Sequence, residues 1–246
     1  MNYTQRILVV LLLGCCLLHP AAVLRAQNRI EENVGQNVIG KSDYFLGMKY
    51  AFATSGIYMY PQKNAAFVTN PVNFGLVFKH FSEKYMGTHI ELIYGTKGYS
   101  FLDTAGIKLE RMSQVLELPV MAEARIPVSS RFNILVTGGG FLSYYLKNKE
   151  TKDPGGLNQV SHFDYERFHG VEYGITAGLG ASYRLGAASL FLDGRYMMSL
   201  SYLYKPTIDL YESDTQQISV SAGVFFNLNE LFAAKVKAPK LQEIKY

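Results

Sequence analysis

The sequence predicts an all-β fold, an eight-stranded antiparallel up-and-down transmembrane β-barrel with short periplasmic turns and longer extracellular loops. Three observations predict it. Apolar and polar residues alternate with a period of two in many segments, the connections between those segments alternate between short and long, and the chain opens on an export signal. The composition agrees, because only 18% of the 246 residues are charged, whereas about a quarter is usual for a globular protein.

The same composition excludes several classes of protein. A chain that is 48% hydrophobic, with 22 glycines, 18 tyrosines and 15 phenylalanines, is neither disordered nor a coiled coil nor collagen. Its length allows one domain or at most two, with a core that needs no disulfide bonds. The formal net charge of +4 is small and no basic cluster lies on one face, so we expect no nucleic-acid partner.

The pattern of the first 26 residues predicts a secretory signal peptide. Arg6 lies in a short polar start, an apolar run covers residues 7–18, and small residues follow up to Ala26. The run is shorter than the ~20 apolar residues that a membrane-spanning helix needs. We therefore expect the mature chain to begin at Gln27, and cleavage after Ala22 is an alternative.

A second alternative concerns lipidation. Residues 12–15 (LLGC) resemble a bacterial lipobox, which would make Cys15 a lipidated N-terminus, but the apolar run continues past Cys15 as in an ordinary signal. Both cysteines, Cys15 and Cys16, lie in the signal, so the mature chain has no thiol, disulfide or cysteine metal site. Loss of Arg6 and Arg25 leaves 22 basic and 20 acidic residues, a nearly neutral protein.

Eight segments of the mature chain read as strands, because their apolar residues recur at every second position. In the first, an apolar face of Tyr44, Leu46, Met48, Tyr50 and Phe52 opposes Gly47 and Lys49. The same alternation is clearest in residues 114–126, 171–183 and 217–226. We place the strands near 44–54, 72–81, 88–99, 112–126, 131–147, 168–184, 187–203 and 215–226.

The connections between these segments indicate how the strands are arranged. Those after the second, fourth and sixth strands are short (82–87, 127–130 and 185–186), and the others are longer, the longest being 148–167. Antiparallel neighbours joined by short turns at one end and long loops at the other are typical of an outer-membrane barrel. No run of ~18 apolar residues predicts a spanning helix after residue 26.

The polarity of the two faces decides between a barrel in lipid and a soluble lipocalin-like barrel, which would have the opposite arrangement. The apolar faces carry no charge over most of each strand, and Tyr or Phe lies near their ends, as in the aromatic girdles of membrane barrels. We place these residues in the girdles: Tyr44, Tyr50, Tyr94, Tyr144, Tyr173, Tyr183, Tyr196, Tyr202 and Phe226.

The opposite face, rich in Gly and Ser, would fill the lumen, which has little spare room at this strand number. Ten charged residues fall on it: Lys49, Lys79, Glu91, Lys97, Glu117, Glu123, Arg125, Glu172, Asp193 and Arg195. Because an unpaired buried charge costs several kcal/mol, we expect these charges to pair with one another.

Two motifs carry a family resemblance. Residues 89–98 (HIELIYGTKG) resemble the ELLYSQKG strand of the PorT-like outer-membrane β-barrel family of Bacteroidetes, and residues 116–120 (LELPV) resemble that family's LEIPL strand. The similarity extends over most of residues 44–226. It implies an outer-membrane barrel of a Gram-negative bacterium, in a family whose founding member is linked to type IX protein secretion. The chain departs from a barrel that ends on an assembly signal, because 20 residues follow Phe226.

Several residues suggest a metal site or a catalytic site. His162, Asp164, Glu166 and His169 in the longest loop offer metal-ligating groups, but their spacing fits no ligand motif, so a hydrated loop is the preferred reading. Ser161 beside His162 suggests a hydrolase, yet adjacency supplies neither an orienting acid nor an oxyanion site.

Other motifs have structural readings. We predict that the lumen contains a lattice of ion pairs and that its acids are not acid/base catalysts; these acids are Glu91, Glu117 and Glu123. The glycines at 138–140 and those at 178 and 180 lie inside strands, so we expect them to relieve crowding or bend the wall rather than bind phosphate. We predict no catalytic, cofactor-binding or metal site.

The predicted organisation is a signal peptide at 1–26, an N-terminal periplasmic segment at 27–43, the barrel at 44–226 and a periplasmic C-terminal tail at 227–246. The tail could begin with a short helix at 228–234 and ends in a basic stretch, 235–246. The leading functional hypothesis is a non-enzymatic structural or accessory protein of the outer membrane, in contact with its lipid and, through loops or tail, with envelope or secretion-system proteins. The alternatives are an outer-membrane lipid-modifying hydrolase with its site near 161–169, and a soluble periplasmic ligand-binding barrel.

Overall fold

The structure, a computed structural model, describes residues 42–60, 65–102, 107–153, 159–162, 170–203 and 212–233. These residues form nine strands and one short helix. They are β1 (Asp43–Tyr60), β2 (Ala65–Phe81), β3 (Met86–Leu102), β4 (Lys108–Pro127), β5 (Phe132–Asp153), β6 (Gln159–His162), β7 (Val171–Leu185), β8 (Ala188–Ser199), β9 (Glu212–Asn227) and α1 (Leu228–Ala233). Within these ranges, no helix is long and apolar enough to cross a membrane.

Eight of these strands form a closed antiparallel ring in the order β1, β2, β3, β4, β5, β7, β8, β9. The ring closes because β9 pairs with β1 from Phe45↔Asn227 to Tyr60↔Glu212. Closure leaves no strand edge, so backbone polar groups are paired within the wall, as the hydrocarbon of a membrane requires. The predicted eight-stranded up-and-down barrel is confirmed.

The ninth strand, β6, was not predicted. It pairs only with the end of β5, from Lys149↔His162 to Lys152↔Gln159, and lies in the segment that we predicted to be the longest loop. A strand of four residues that is not in the ring gives too short an alternation to be recognised.

Two ring strands, β7 and β8, are shorter than the predicted ranges 168–184 and 187–203. The other six ring strands are longer than predicted, by the largest margin in β1 and β2. Both continue through residues that we expected to form a loop, so that only residues 61–64 connect them, a connection as short as the turn at 82–85. The prediction followed the contrast between a lipid face and a lumen face. That contrast ends where a strand leaves the membrane, although its hydrogen-bond ladder continues.

One end of the barrel carries only short connections. Residues 82–85, 128–131 and 186–187 connect neighbouring strands there, and β1 begins and β9 ends at the same end. In the two-residue turn, Gly186 has a φ of 65°, the positive value that tight hairpin turns require. Short turns together with both ends of the barrel identify this end as the periplasmic one.

The outer surface has the predicted polarity. The alternate residues of each strand that face outward are apolar and exposed, and an aromatic row runs across adjacent strands: Tyr50 opposite Phe74, Phe74 opposite Tyr94, and Tyr94 next to Leu116, which lies opposite Tyr144. A barrel with such an exterior is stable in lipid and not in water, so the soluble periplasmic alternative is wrong.

The spacing of two exposed tyrosines on β7 matches a membrane. Tyr173 and Tyr183 are ten residues apart, and the outward residues between them carry no charge. Ten residues at ~3.4 Å each, on a strand tilted by roughly 40°, span about 25 Å, the usual height of the apolar band. Two of the predicted girdle residues differ. Tyr196 lies opposite Ala177, within the band between Tyr173 and Tyr183. Tyr202 lies beyond the end of β8 and is half-buried.

The predicted short helix is present as α1, directly after β9. Asn227 caps it, since its Oδ1 accepts a hydrogen bond from the backbone N–H of Glu230 at 3.3 Å. Asn229 Nδ2 donates to the carbonyl of Ser42 at 2.5 Å, which joins the helix to the start of β1. Residues 1–41 and 234–246, with the predicted signal peptide and basic tail, lie outside the described residues.

We expect a charge in the middle of the lipid band to destabilise the barrel and the same charge at its margin to be tolerated. Leu179→Lys, between Tyr173 and Tyr183, should lower the free energy of unfolding by ~2–4 kcal/mol, and Leu185→Lys, at the end of β7, by ~0–1 kcal/mol. The chain has no Trp, so the folded fraction in lipid vesicles is best followed across a urea series by heat-modifiable gel mobility. Equal losses for the two variants would contradict the assigned band.

Candidate functional site

The candidate functional site is the lumen, where side chains from opposite walls meet. It holds three zones along the barrel axis. A periplasmic aromatic cluster contains Phe45, Val77, Phe81, Phe191 and Phe225, and an outer apolar cluster contains Ile57, Tyr99, Val115, Tyr145 and Leu203. Between them lies a central ion network.

Glu91 on β3 is the centre of the ion network. Its carboxylate receives Lys49 Nζ from β1 at 2.7 Å and two nitrogens of the Arg195 guanidinium from β8 at 2.5 and 3.0 Å. Arg195 also contacts Asp193 Oδ2 at 2.8 Å, and Ser221 donates a hydrogen bond to that aspartate. A bidentate pair of this kind fixes both partners in one geometry. It also joins two strands that are not neighbours.

His89 connects this centre to a second acid. Its Nε2 lies 2.7 Å from Glu91 Oε1 and its Nδ1 lies 2.7 Å from Glu123 Oε2. Glu123 is in turn 2.8 Å from Lys79 Nζ, whose ammonium lies 4.6 Å from the ring centroid of Phe225. The ion network therefore meets the periplasmic aromatic cluster through a cation–π contact.

Lys97 holds the part of the network nearer the cell exterior. Its Nζ lies 2.6 Å from Glu117 Oε1 and 3.2 Å from Glu172 Oε2. The Tyr145 hydroxyl donates to Glu172 at 2.6 Å, and Thr215 donates to the same carboxylate. Through these contacts, Glu172 on β7 is fixed to β3, β5 and β9.

The predicted pairing of lumen charges is confirmed for nine of the ten residues and is wrong for Arg125, which lies against aromatic rings instead. Nine of the ten predicted residues are buried and Arg125 is half-buried, and five of the ten are basic and five acidic.

Three residues of the ion network were not predicted from the sequence: His89, Ser143 and Tyr145. His89 was detectable, since it shares the inward phase of Glu91. Ser143 and Tyr145 join the network through Glu117 on β4 and Glu172 on β7. These strands are the neighbours of β5 in the ring, but alternation along one strand does not reveal which side chains meet across two strands.

Arg125 belongs to the periplasmic end rather than to the ion network. Its guanidinium lies 3.7 Å from the ring centroid of Phe81 and 5.1 Å from that of Phe45. Phe45 packs edge-on against Phe81 and Phe225, at centroid distances of 5.9 and 5.4 Å. The cation thus lies against the rings of the periplasmic aromatic cluster.

This arrangement has a chemical consequence. Each lumen carboxylate among Glu91, Glu117, Glu123 and Glu172 is in contact with at least one cation, so none has the uncommitted geometry of a general acid or base. The contacts from β3 to β8 and from β3 to β7 cross the lumen, and at those levels side chains occupy the path that a hydrated ion would need.

The loop candidates are only partly within the described residues. Ser161 and His162 lie on β6, opposite Glu150 and Lys149 of β5. Asp164, Glu166 and His169 lie outside the described residues, so both the metal and the hydrolase readings of this cluster stay predictions. In the described part of the chain, no group of three or more His, Cys, Asp or Glu side chains could hold a metal ion.

The central glycines of β5 differ in the space that an added side chain would have. At Gly139, which faces the lumen, an added Cβ would lie 2.2 Å from the backbone oxygen of Val120, so the close approach of β4 requires glycine there. At Gly138, which faces outward, a Cβ would meet nothing within 4 Å. The expected relief of crowding therefore applies to Gly139 and not to Gly138.

Comparison with known families identifies the barrel. A family model described as "Outer membrane protein beta-barrel domain" matches residues 43–205, which is more than half of the chain. The chain belongs to this outer-membrane β-barrel family. Its location is therefore the outer membrane, in agreement with the apolar exterior. No curated protein matches the sequence.

Solved outer-membrane proteins resemble this family member only distantly. Neisserial surface protein A is 12% identical over 76% of this chain and 99% of its own, with a TM-score of 0.42. Ail of Yersinia pestis is 12% identical over 76% and 99%, with a TM-score of 0.40. OprG from Pseudomonas aeruginosa is 12% identical over 76% and 97%, with a TM-score of 0.48. Likeness at this level carries no argument about function.

We expect the buried pair Lys79–Glu123 to be strongly coupled. Lys79→Met should destabilise this outer-membrane barrel by ~3–5 kcal/mol, because it leaves a buried carboxylate without its lysine, and adding Glu123→Gln should recover most of that loss. The matched control is the exposed pair Arg184–Glu230, where Arg184→Met and Glu230→Gln should each cost ~0–1 kcal/mol. The free energies of unfolding of the four lumen forms give the coupling, and additive losses would contradict it.

Proposed function

We propose that this barrel is a non-enzymatic protein of the outer membrane with a structural or accessory role in the cell envelope. The observation that supports the proposal is that side chains fill the lumen. Ion pairs cross it, apolar and aromatic clusters lie on both sides of them, and the buried carboxylates are committed to cations. Such an interior supports the barrel wall and supplies neither a substrate site nor a wide channel.

We further propose that the chain is a PorT-like barrel of Bacteroidetes, exported by the signal peptide at 1–26 and associated with type IX protein secretion. The support is the resemblance of residues 89–98 and 116–120. His89, Glu91, Lys97 and Glu117 in these motifs belong to the ion network of the lumen. The residues that carry the resemblance thus lie in the barrel interior. Contacts with secretion-system or other envelope proteins would be made by the extracellular loops or by the tail at 227–246.

The alternative is a lipid-modifying hydrolase whose site includes Ser161 and His162. The nearest described acid in the register is Glu150, opposite Ser161, and its carboxylate is held by Arg111 Nε at 2.7 Å. A nucleophile needs a base that is itself oriented by an acid, and an acid already engaged by an arginine does not favour that role.

A deletion strain complemented with variants separates these functions. We expect wild-type protein and the double variant Ser161→Ala with His162→Ala to restore the integrity of the envelope to the same extent. Mass spectrometry should detect the same lipid A species in both complemented strains. If the secretion link holds, the deletion strain should retain type IX cargo that both forms release again. A lipid A species that disappears only with the double variant would favour the hydrolase. Normal cargo release in the deletion strain would contradict the secretion link.

The filled lumen also predicts electrical behaviour. In planar lipid bilayers, the purified folded protein should show no steady conductance steps at the level of a general porin, because side chains from β3, β7 and β8 meet across the lumen. A porin inserted in the same bilayer is the positive control. Steady porin-sized steps from this barrel would show that the ion network opens in lipid.

A further inference from the structure

An irregularity in β5 lies just above the lipid-facing surface. Val115 of β4 pairs with Tyr145, but the next residue, Gln114, pairs with Lys147, so Leu146 is an extra residue in β5. Such a β-bulge shifts the alternation of the residues that follow it. Tyr145 faces the lumen, and without the bulge every second residue after it, Lys147 and Lys149, would face the lumen as well.

The bulge instead turns the two lysines outward. Leu146, Lys147 and Lys149 are exposed, whereas Asn148 and Glu150 are buried. The inner side gains one ion pair, Glu150 with Arg111. It also holds the buried amide of Asn148, which has no hydrogen-bond partner among the described residues. Because a buried amide without a partner is unfavourable, contacts on the inner side do not account for the bulge.

The lysines lie at the height of lipid headgroups. Tyr144, exposed on the same strand, lies opposite Val171, two residues beyond Tyr173 at the outer edge of the apolar band. Three to five residues further along a strand tilted by roughly 40°, Lys147 and Lys149 are about 7–13 Å above it. The polar headgroup region is roughly 5–8 Å deep on each side of the hydrocarbon, so Lys147 lies at its outer margin. Lys149 starts a few Å higher, and its long flexible side chain can bring the ammonium back to that level.

The residues around the lysines leave their charge directed outward. Across the β4–β5 ladder, Lys147 lies opposite Gln114 and Lys149 lies opposite Met112, both neutral. On its other side, Lys149 lies opposite His162 of β6, which is not an acid either. The acid of this part of β4, Glu110, is diagonal to Lys149, and its carboxylate lies 3.8 Å from Lys108. Two cations on one face of a strand at this height match the phosphates of a membrane surface.

We propose that Lys147 and Lys149 bind the phosphate group of a phosphorylated lipid in the outer leaflet, with Leu146 and Tyr144 against the apolar part of the same lipid. The β5 bulge is the element that builds this site, because it places an exposed leucine and both lysines on the lipid side. The site does not depend on the secretion role, and a failure of either leaves the other in place.

Binding of lipid A to the full-length folded protein in detergent tests this site. The probe is diphosphoryl lipid A, the reference is the same lipid A with its phosphates removed, and titration is followed by native mass spectrometry. Lys147→Gln or Lys149→Gln should each weaken binding of the phosphorylated probe about fivefold and the double variant about twentyfold, as expected for loss of one or two lysine–phosphate contacts. Binding of the dephosphorylated lipid should not change.

The control is a double variant with the same change in charge at the other end of the barrel. Lys84 and Arg131 are exposed in the periplasmic turns, so Lys84→Gln with Arg131→Gln should leave lipid A binding within about twofold of wild type. Heat-modifiable mobility confirms that each variant is folded. Equal affinity for the two lipids, or an unchanged affinity in the lysine double variant, would overturn the proposal. Displacement of lipid A by millimolar inorganic phosphate would assign the site to free phosphate and overturn the lipid.

Discussion

The pairing of β1 with β9 is the interaction on which the whole structure depends. In hydrocarbon, a backbone N–H or C=O without a partner costs several kcal/mol, so a sheet with two free edges cannot cross the membrane. The ladder between the two strands runs over the full length of β9 and removes both edges at once. Because these strands are the first and last of the barrel in the chain, the ring closes only when all the strands between them have found their register. Asn229 and Ser42 are joined just below this seam, which links α1 to the same closure.

Closure at this strand number sets a narrow lumen, and the ion network follows from that restriction. Buried ion pairs are often no more stabilising than apolar residues of the same volume, so stability alone does not explain five acids and five bases inside. The presence of these charges is better explained by their effect on strand register. A slip of one residue would turn Glu91 or Arg195 into the lipid, and a basic side chain at the bilayer midplane costs ~2–4 kcal/mol. The network therefore penalises misaligned barrels more than it strengthens the correct one.

The sequence allowed the barrel, its polarity and the inward charges to be predicted, because all three follow from a period of two. Lys49, Glu91 and Glu172 could be placed inside, but not paired, since the strands that bring them together are far apart in the chain. The β5 bulge was also missed: from Tyr145 onward a simple alternation predicts that Lys147 faces inward, and only the register with Gln114 shows otherwise. The outer parts of β1 and β2 were missed because the contrast between an apolar outer face and a polar inner face is lost there: Ile57 is apolar and buried, and Tyr58 is apolar and exposed. β6 was missed because four residues are too short to show an alternation.

The strands extend well beyond the membrane on one side only. A spanning strand needs ~9–11 residues, whereas β5 has 22 and β4 has 20. At the periplasmic end, Tyr44 and Phe226 lie one residue from the ends of their strands, so the excess length is extracellular. β8, with 12 residues, stops much lower, and Leu203 from the segment after it is buried in the outer apolar cluster. The wall is thus high at β4 and β5 and low at β8, where the following segment is fixed to the lumen by Leu203. A partner that binds outside the cell would therefore meet an uneven rim. The segment after β8 shares one apolar cluster with Tyr99 and Tyr145 through Leu203, and Tyr145 also donates a hydrogen bond to Glu172 of the ion network, so this segment is joined to the network through Tyr145.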